Sequence, residues 1–427
     1  MVFMMPRKRK TCVVHCDCVM TSAIVALPCD RTMRCSAVPF FLSPAHPLWL
    51  VGFRPFFTLA IVSAIALPTL WAAMLAGWLP YSPHGIAPMS WHAHEMFYGF
   101  GWAILGGFLL TATKNWVSIR GYHGMTLMAL VLAWLAERVA MWFYGDLSTW
   151  MQIVANNLFV GALVVLLVST LVVNRAKDIF RRDNLFFLAV LPLFLLAKNL
   201  MLNPSNFTTG SSMTLALFRM AFLIMLERTL TQFMKNTFSV AIWRNRWLDG
   251  AIKLSALSLI GLEVWPVQIS AGLEVLVALL LLIRYCTWKP HLVLRKLEIA
   301  VMYLGYLAIV AQLLLDAILR FSPQNWAGSL PMHVFTFGAM GMIIPAMIVR
   351  MANGHTGRKV DFQAQDLAIL ALMLVAFVLR VVVSQFARAS YSLSITSAAA
   401  AWVLAFAWLG WRHIPKLWQA RVDGKAH

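Results

Sequence analysis

About twelve times between residues 53 and 412, the chain strings together roughly twenty residues with almost no charge, the length a helix needs to cross a bilayer. The expected spans lie near 53–78, 92–113, 123–144, 149–173, 184–202, 211–234, 248–266, 268–286, 298–320, 332–352, 365–387 and 391–412. Inside hydrocarbon no water can satisfy a backbone N–H or C=O, so a spanning segment of this kind must be a helix. The fold class expected is an all-α polytopic membrane protein with about twelve transmembrane helices. The loops are too short for a soluble domain between spans. Only 235–247 and 287–297 have room for an interfacial helix.

Composition agrees. The 427 residues are 61% hydrophobic and 12% charged, where a soluble chain carries about 25% charge. Lys and Arg outnumber Asp and Glu by 35 to 16. That excess would suit nucleic acid if it were gathered on one polar domain. It is instead spread over short loops, so no nucleic-acid partner is expected and membrane lipid is. Alternate junctions carry the charge: Lys114 and Arg120; Arg175, Lys177, Arg181 and Arg182; Lys235, Arg244 and Arg246; Lys289, Arg295 and Lys296; Arg358 and Lys359. The intervening junctions, around 80–90, 145–148, 203–210, 267 and 321–331, have no Lys or Arg, and only Arg388 breaks the alternation. Read by the positive-inside rule, both termini face the cytoplasm. Three parts are expected: a basic, Cys-containing extension over 1–45, a twelve-span domain over 46–415 and a basic cytoplasmic tail over 416–427.

Five of six cysteines precede residue 36, and Cys286 is the sixth. The cluster Cys12, His15, Cys16 and Cys18 has the makings of a zinc or copper tail. The simpler expectation is that the extension is disordered or reflects a start upstream of the natural one, near Met20 or Met33. Its apolar piece, 24–28, is too short for a signal peptide.

The densest group of metal-capable side chains is Trp91-His92-Ala93-His94-Glu95-Met96, at the outer mouth of the second span. Ionisable groups there are costly and mark function. His92 and His94 are two residues apart, about 200° around a helix, so on a regular helix they serve two different sites. Glu95 and Met96 follow His92 by three and four residues and should share its face. His333 opens the tenth span at the same end, beside Met332 and two turns before Met340. Imidazole suits haem iron and copper, and a thioether beside it favours copper. His355 lies in Gly354-His355-Thr356-Gly357-Arg358, a helix end leading into a basic loop. Arg138, Arg219, Arg228, Arg320, Arg350 and Arg380 lie inside spans and need partners. Glu137, Glu227, Glu263, Glu274 and Asp316 can supply some, and Arg320 and Arg350 are expected to pair locally or snorkel. Arg138, Arg219 and Arg380 fall near the histidine layer, where haem propionates would serve as anions. Nothing matches a phosphate-binding loop, a serine triad or a zinc-protease motif.

Several pieces together resemble the NnrS family of bacterial membrane proteins. They are Gly52-Phe53-Arg54-Pro55-Phe56-Phe57, the His-Ala-His-Glu-Met segment with Gly99-Phe100, Gly107-Phe108-Leu109-Leu110-Thr111-Ala112, and Asn115-Trp116. Leu304-Gly305-Tyr306, His333 with Gly338-Ala339-Met340-Gly341, Arg350 and Gly354-His355-Thr356-Gly357-Arg358 follow in order. The resemblance implies a twelve-span inner-membrane protein that carries haem and copper and protects against nitric oxide and nitrosative stress. It implies His92, His94, His333 and His355 as candidate metal ligands, with Arg54, Arg138, Arg228 and Arg350 in support. The chain departs from the family at Tyr303, where a histidine is usual, so phenolate would replace that ligand. It departs again at Leu226-Glu227-Arg228-Thr229-Leu230-Thr231, where only the arginine of a Gly-Gly-Arg-Val-Ile-Pro pattern survives.

Three functions follow as expectations. The first is a haem- and copper-binding protein that takes up nitric oxide or handles iron–nitrosyl species. The second is a haem–copper reductase subunit, which would need about six membrane histidines. The third is a transporter of metal or a small solute, with the His/Met/Glu cluster as a transit site.

Overall fold

A computed structural model describes residues 40–425 apart from 81, 325 and 387–389. Most of the Cys-containing extension therefore lies outside the described residues. The described chain is helical, and no strand occurs in it. Among the described residues eleven helices are long and apolar enough to cross a membrane: α1 (Phe53–Leu75), α2 (Pro88–Trp116), α3 (Met125–Trp142), α4 (Thr149–Val173), α5 (Asn184–Leu202) and α6 (Pro204–Phe238), then α8 (Val267–Thr287), α9 (Leu297–Phe321), α10 (Leu330–Gly354), α11 (Ala364–Phe386) and α12 (Tyr391–Trp418). The protein is a multi-pass membrane protein.

The expected seventh span is the exception. It forms α7 (Arg246–Ser258) and then a 3-10 segment, Leu259–Val264, broken at Gly261. Asn245 starts α7 by accepting from the N–H groups of Trp247 and Leu248 at 2.8 and 3.2 Å. Asp249, Lys253 and Glu263, with Gly250 and Gly261, deny the stretch a long apolar helix. It still joins the two faces. Asp249 at its start lies 3.6 Å from Arg284, in the last turn of α8. Glu263 at its end accepts from Arg320, in the last turn of α9, at 2.9 Å. Helices α8 and α9 pack side by side in opposite directions, so those two arginines mark opposite faces. No interfacial helix forms over 239–245, and a single helical turn, Pro290–Val293, occupies the 287–297 connection.

The described chain ends meet. Arg54 NH1 donates to the carbonyls of Leu417 and Gln419 at 2.8 and 2.6 Å, where α1 starts and α12 ends. We call the opposite face outer, after its Lys/Arg-poor loops. Near the basic face a buried network centres on Glu227, which accepts from Arg244, from Lys253 at 3.0 Å and from Arg284 at 3.1 Å. Arg228 beside it donates to Asn184 Oδ1 at 2.9 Å and lies 4.2 and 4.6 Å from the Phe180 and Trp116 ring centroids. Arg350 lies 3.6 Å from the Phe233 ring centroid. Cations here are stabilised by aromatic faces as much as by carboxylates.

The start of α1 and helix α2 cross closely because a glycine stands on one side of each contact. A Cβ on Gly107 would stand 2.7 Å from Phe56 Cβ, and one on Gly52 2.5 Å from Leu110 Cβ. We expect Gly107→Val to cost about 1–3 kcal/mol, because the backbones must separate. Gly250→Ala, with nothing within 4 Å of its added carbon, should be neutral or stabilising by up to about 1 kcal/mol. Thermal unfolding in detergent checks both, and equal midpoints for the two variants would contradict the close crossing.

Candidate functional site

The outer ends of α2 and α10 are built alike. Each begins with a proline in its first turn, Pro88 or Pro331. Each then passes from a short α-helical turn into seven residues of π-helix, Glu95–Gly101 and Val334–Met340. A third π-segment, Val378–Val383, lies in α11. A π-turn holds an extra residue and so redirects side chains, and such turns recur at functional sites. All three segments contribute to one cavity of about 700 Å³ in the outer layer, through Met96, Thr336, Met340 and Arg380 among others.

His92 and His333 both line this cavity. The His92 ring stacks on Trp71, with centroids 4.6 Å apart and planes at 16°. Its Nδ1 is buried and has no hydrogen-bond partner. Nδ1 of His333 meets the Ser329 carbonyl at 2.8 Å and Arg380 NH2 at 3.2 Å. With its proton donated to Ser329, the His333 ring keeps the Nε2 lone pair that a metal requires. Arg380 also reaches Ser329 Oγ at 3.2 Å, and no carboxylate pairs with it among the described residues. Met89, Met96 and Met332 add thioethers, and Glu263, Asp316 and Arg320 form a charged patch of the wall.

His94 turns to the other flank of α2. It is fully buried, with Nδ1 3.0 Å from Glu95 Oε1 and Nε2 3.0 Å from Asn156 Oδ1. Arg138 bridges Glu95 and Glu137 at 2.6 Å each, and Lys198 donates to Glu137. The opposite facing of His92 and His94 is what helical geometry demands. The expectation that Glu95 shares the face of His92 is corrected. The π-segment begins at Glu95 and swings it toward Arg138, which reaches it across Gly99. A Cβ on Gly99 would lie 2.9 Å from Arg138 NH1. Met96 does share the cavity with His92.

The remaining sequence-selected residues are dispersed. Arg219 donates to Gln312 Oε1 at 2.7 Å between α6 and α9. Tyr303 donates to the Trp288 carbonyl at 2.8 Å, toward the basic end of α9. His355 packs on Phe53, 5.3 Å between centroids, at the basic end of α10, the far end of that helix from His333. Arg54, Arg228 and Arg350 lie toward the same face. Two of the four candidate histidines therefore meet, and among the described residues no three His, Cys, Asp or Glu side chains form a metal-holding group. Trp71 and Ser329 were not singled out from sequence, and Glu263, Asp316 and Arg320 were read there only as ion-pair partners. One signal was available: a glycine follows His94 and His333 by the same interval, Gly99 and Gly338, inside both π-segments.

Fold and site together define a multi-pass membrane protein with an outer cavity to which two spans each contribute one imidazole. The family model described as NnrS protein matches residues 47–421. The chain belongs to the NnrS family, a family of the nitric-oxide response. No curated protein matches the chain.

Burial, together with Lys114, Arg421 and Arg54 nearby, holds His355 down at about 4. Above pH 6.5 the ring is neutral in both states. Below it the unfolded chain takes the proton first, so acidification favours unfolding until the folded ring also protonates near pH 4. We expect the pH 7 to pH 5 drop in stability to shrink by up to about 2 kcal/mol in His355→Gln, read from thermal midpoints. An unchanged drop would show that the ring is not held neutral.

Proposed function

We propose that the protein carries haem in its outer cavity, in a bacterial inner membrane, and lowers nitrosative damage by binding nitric oxide or handling nitrosyl species there. The observation that carries this reading is that His92 and His333 line one cavity beside Arg380, which has no carboxylate partner among the described residues.

The residues present fit the group. A volume of about 700 Å³ lies within the range of cofactor sites. His333 has its Nδ1 engaged and so offers Nε2 to a metal, while His92 has no hydrogen bond on its buried Nδ1, so no partner at that nitrogen competes with a ligand. Trp71, Phe97, Phe100, Phe337 and Trp402 supply apolar walls for a flat macrocycle and limit water at the iron. Arg380 would bind a propionate with a forked, charge-assisted hydrogen bond. Met96, Met332 and Met340 offer the soft sulfur ligands that, with imidazole, suit Cu(I). Ferrous haem, when bound, supplies a centre that takes nitric oxide. His94 has both ring nitrogens occupied by protein partners, so in this reading it orients α2 instead of ligating. Two cavity imidazoles also suit binding better than a reductase copper that takes three histidines.

The test is a reduced-minus-oxidised optical spectrum with metal analysis on detergent-purified protein. Wild type should show haem that shifts with nitric oxide. His92→Ala and His333→Ala should lose or alter the spectrum, Arg380→Ala should retain less haem, and His94→Ala should keep the spectrum. Wild-type protein with no haem and only exchangeable metal would overturn the proposal in favour of a transit site.

A further inference from the structure

The charged wall of the outer cavity continues into the protein as a cluster that its own members do not satisfy. Gln312, Asp316 and Arg320 follow one another at four-residue steps on α9 and so share a face. Arg320 lies at the centre: NH2 is 2.9 Å from Glu263 Oε1 and 3.9 Å from Asp316 Oδ2, and Nε is 3.5 Å from Glu274 Oε1. Arg219, from α6, donates to Gln312 Oε1 and is within electrostatic reach of Glu274 and Asp316. Helix α8 contributes Glu274, and the 3-10 segment after α7 contributes Glu263. Of the charged groups of α7, Asp249 and Lys253 face Arg284 and Glu227 toward the opposite side, and Arg246, at its first residue, lies over the Trp247 ring.

Glu274 is wholly buried, and no N–H donor reaches its oxygens with hydrogen-bond geometry: Arg320 Nε stands 3.5 Å from Oε1, and the neighbour within hydrogen-bond reach is the Asp316 carboxyl, which donates only when protonated. Arg219 Nε and Gln312 Nε2 are likewise buried without a hydrogen bond, and Arg320 Nε has only that long ion pair. Unmet polar atoms at one buried locus call for water or an ion. Charge points the same way. Three carboxylates face two guanidiniums inside a membrane protein, leaving one negative charge that low dielectric makes costly. Asp316 and Glu263 reach the cavity, and Glu274 does not.

We propose that this cluster is a proton-binding site of the outer cavity, with Glu274 as the carboxyl that holds the proton and Asp316 as its route to the cavity. A proton arriving from cavity water joins an Asp316 oxygen and passes to Glu274, directly or through one trapped water. One O–H bond breaks as another forms, and no oxidant or reductant is needed. A metal cation is the poorer occupant, because the Arg320 guanidinium already stands where it would bind. The site would give cavity chemistry a proton store in an otherwise apolar wall. It stands apart from the haem reading, since none of its residues is a proposed metal ligand.

Infrared spectroscopy of the full-length protein in lipid nanodiscs, in H2O and D2O at neutral pH, tests it. Wild type should show a carboxylic-acid carbonyl band that shifts in D2O. The band should vanish in Glu274→Gln, which copies the protonated carboxyl and should leave the thermal midpoint nearly unchanged. It should vanish also in Asp316→Asn, where two carboxylates balance two guanidiniums and Glu274 ionises. His92→Ala should keep it, with or without haem. A wild-type spectrum with no such band, or a band surviving both substitutions, would overturn the proposal. So would a band erased by sodium at constant pH, which would mark a metal cation as the occupant.

Discussion

An ionisable group in hydrocarbon must find a partner, and this constraint sets the rotation of the helix that carries the site. On one flank of α2, His94 and Glu95 join Arg138, Glu137, Lys198 and Asn156 in a continuous buried network. Turning α2 about its axis would leave several of those groups unpaired at once, a penalty of several kcal/mol for each buried charge. The network therefore locks α2, and the lock points His92 the other way, onto Trp71 and into the cavity. A site residue is aimed by interactions it takes no part in.

The same accounting separates the arginines. Arg138 has two carboxylates, Arg54 has the carbonyls that end α12, and Arg228 and Arg350 have aromatic faces. All these are structural solutions to a charge inside a bundle. Arg380 is different. Its partners are the hydroxyls of Ser329, Ser384 and Tyr391, which stabilise a guanidinium less than an anion does. Its position beside His333 is what gives that imbalance a chemical meaning.

Hydropathy made the spans legible, because a bilayer requires continuous apolar helices of fixed length. The fourth and fifth spans, 149–173 and 184–202, coincide with α4 and α5. Residues 248–266 carried a similar apolar content but fold as a short helix with a 3-10 end. There, Gly261 and the paired charges of Asp249, Lys253 and Glu263 outweigh average hydropathy. The opposed faces of His92 and His94 followed from simple helical geometry. The facing of Glu95 did not, because a regular period cannot anticipate the π-turn that starts at that residue. Tyr303 and His355 were selected by motif, and motifs carry no depth: both lie toward the basic face, away from the cavity.

The two flanks of α2 show how one segment can both hold a fold and leave chemistry available. On the structural flank every charge has an opposite within hydrogen-bond reach, and that closure suits rigidity. Around the cavity and just behind its wall, polar groups are short of partners among the described residues: His92 Nδ1 has none, Arg380 has no carboxylate, and Glu274 has only the Arg320 Nε at 3.5 Å as a nitrogen donor nearby. Deficits of this kind are unstable if left empty in an apolar medium. They are tolerable if something arriving from outside completes them. In the proposed readings a metal, an acid group and a proton complete, respectively, the histidine, the arginine and the carboxylate. Two of these deficits lie in the cavity wall and the third just behind it, and the locked network on the far flank of α2 is what holds one of those walls in place.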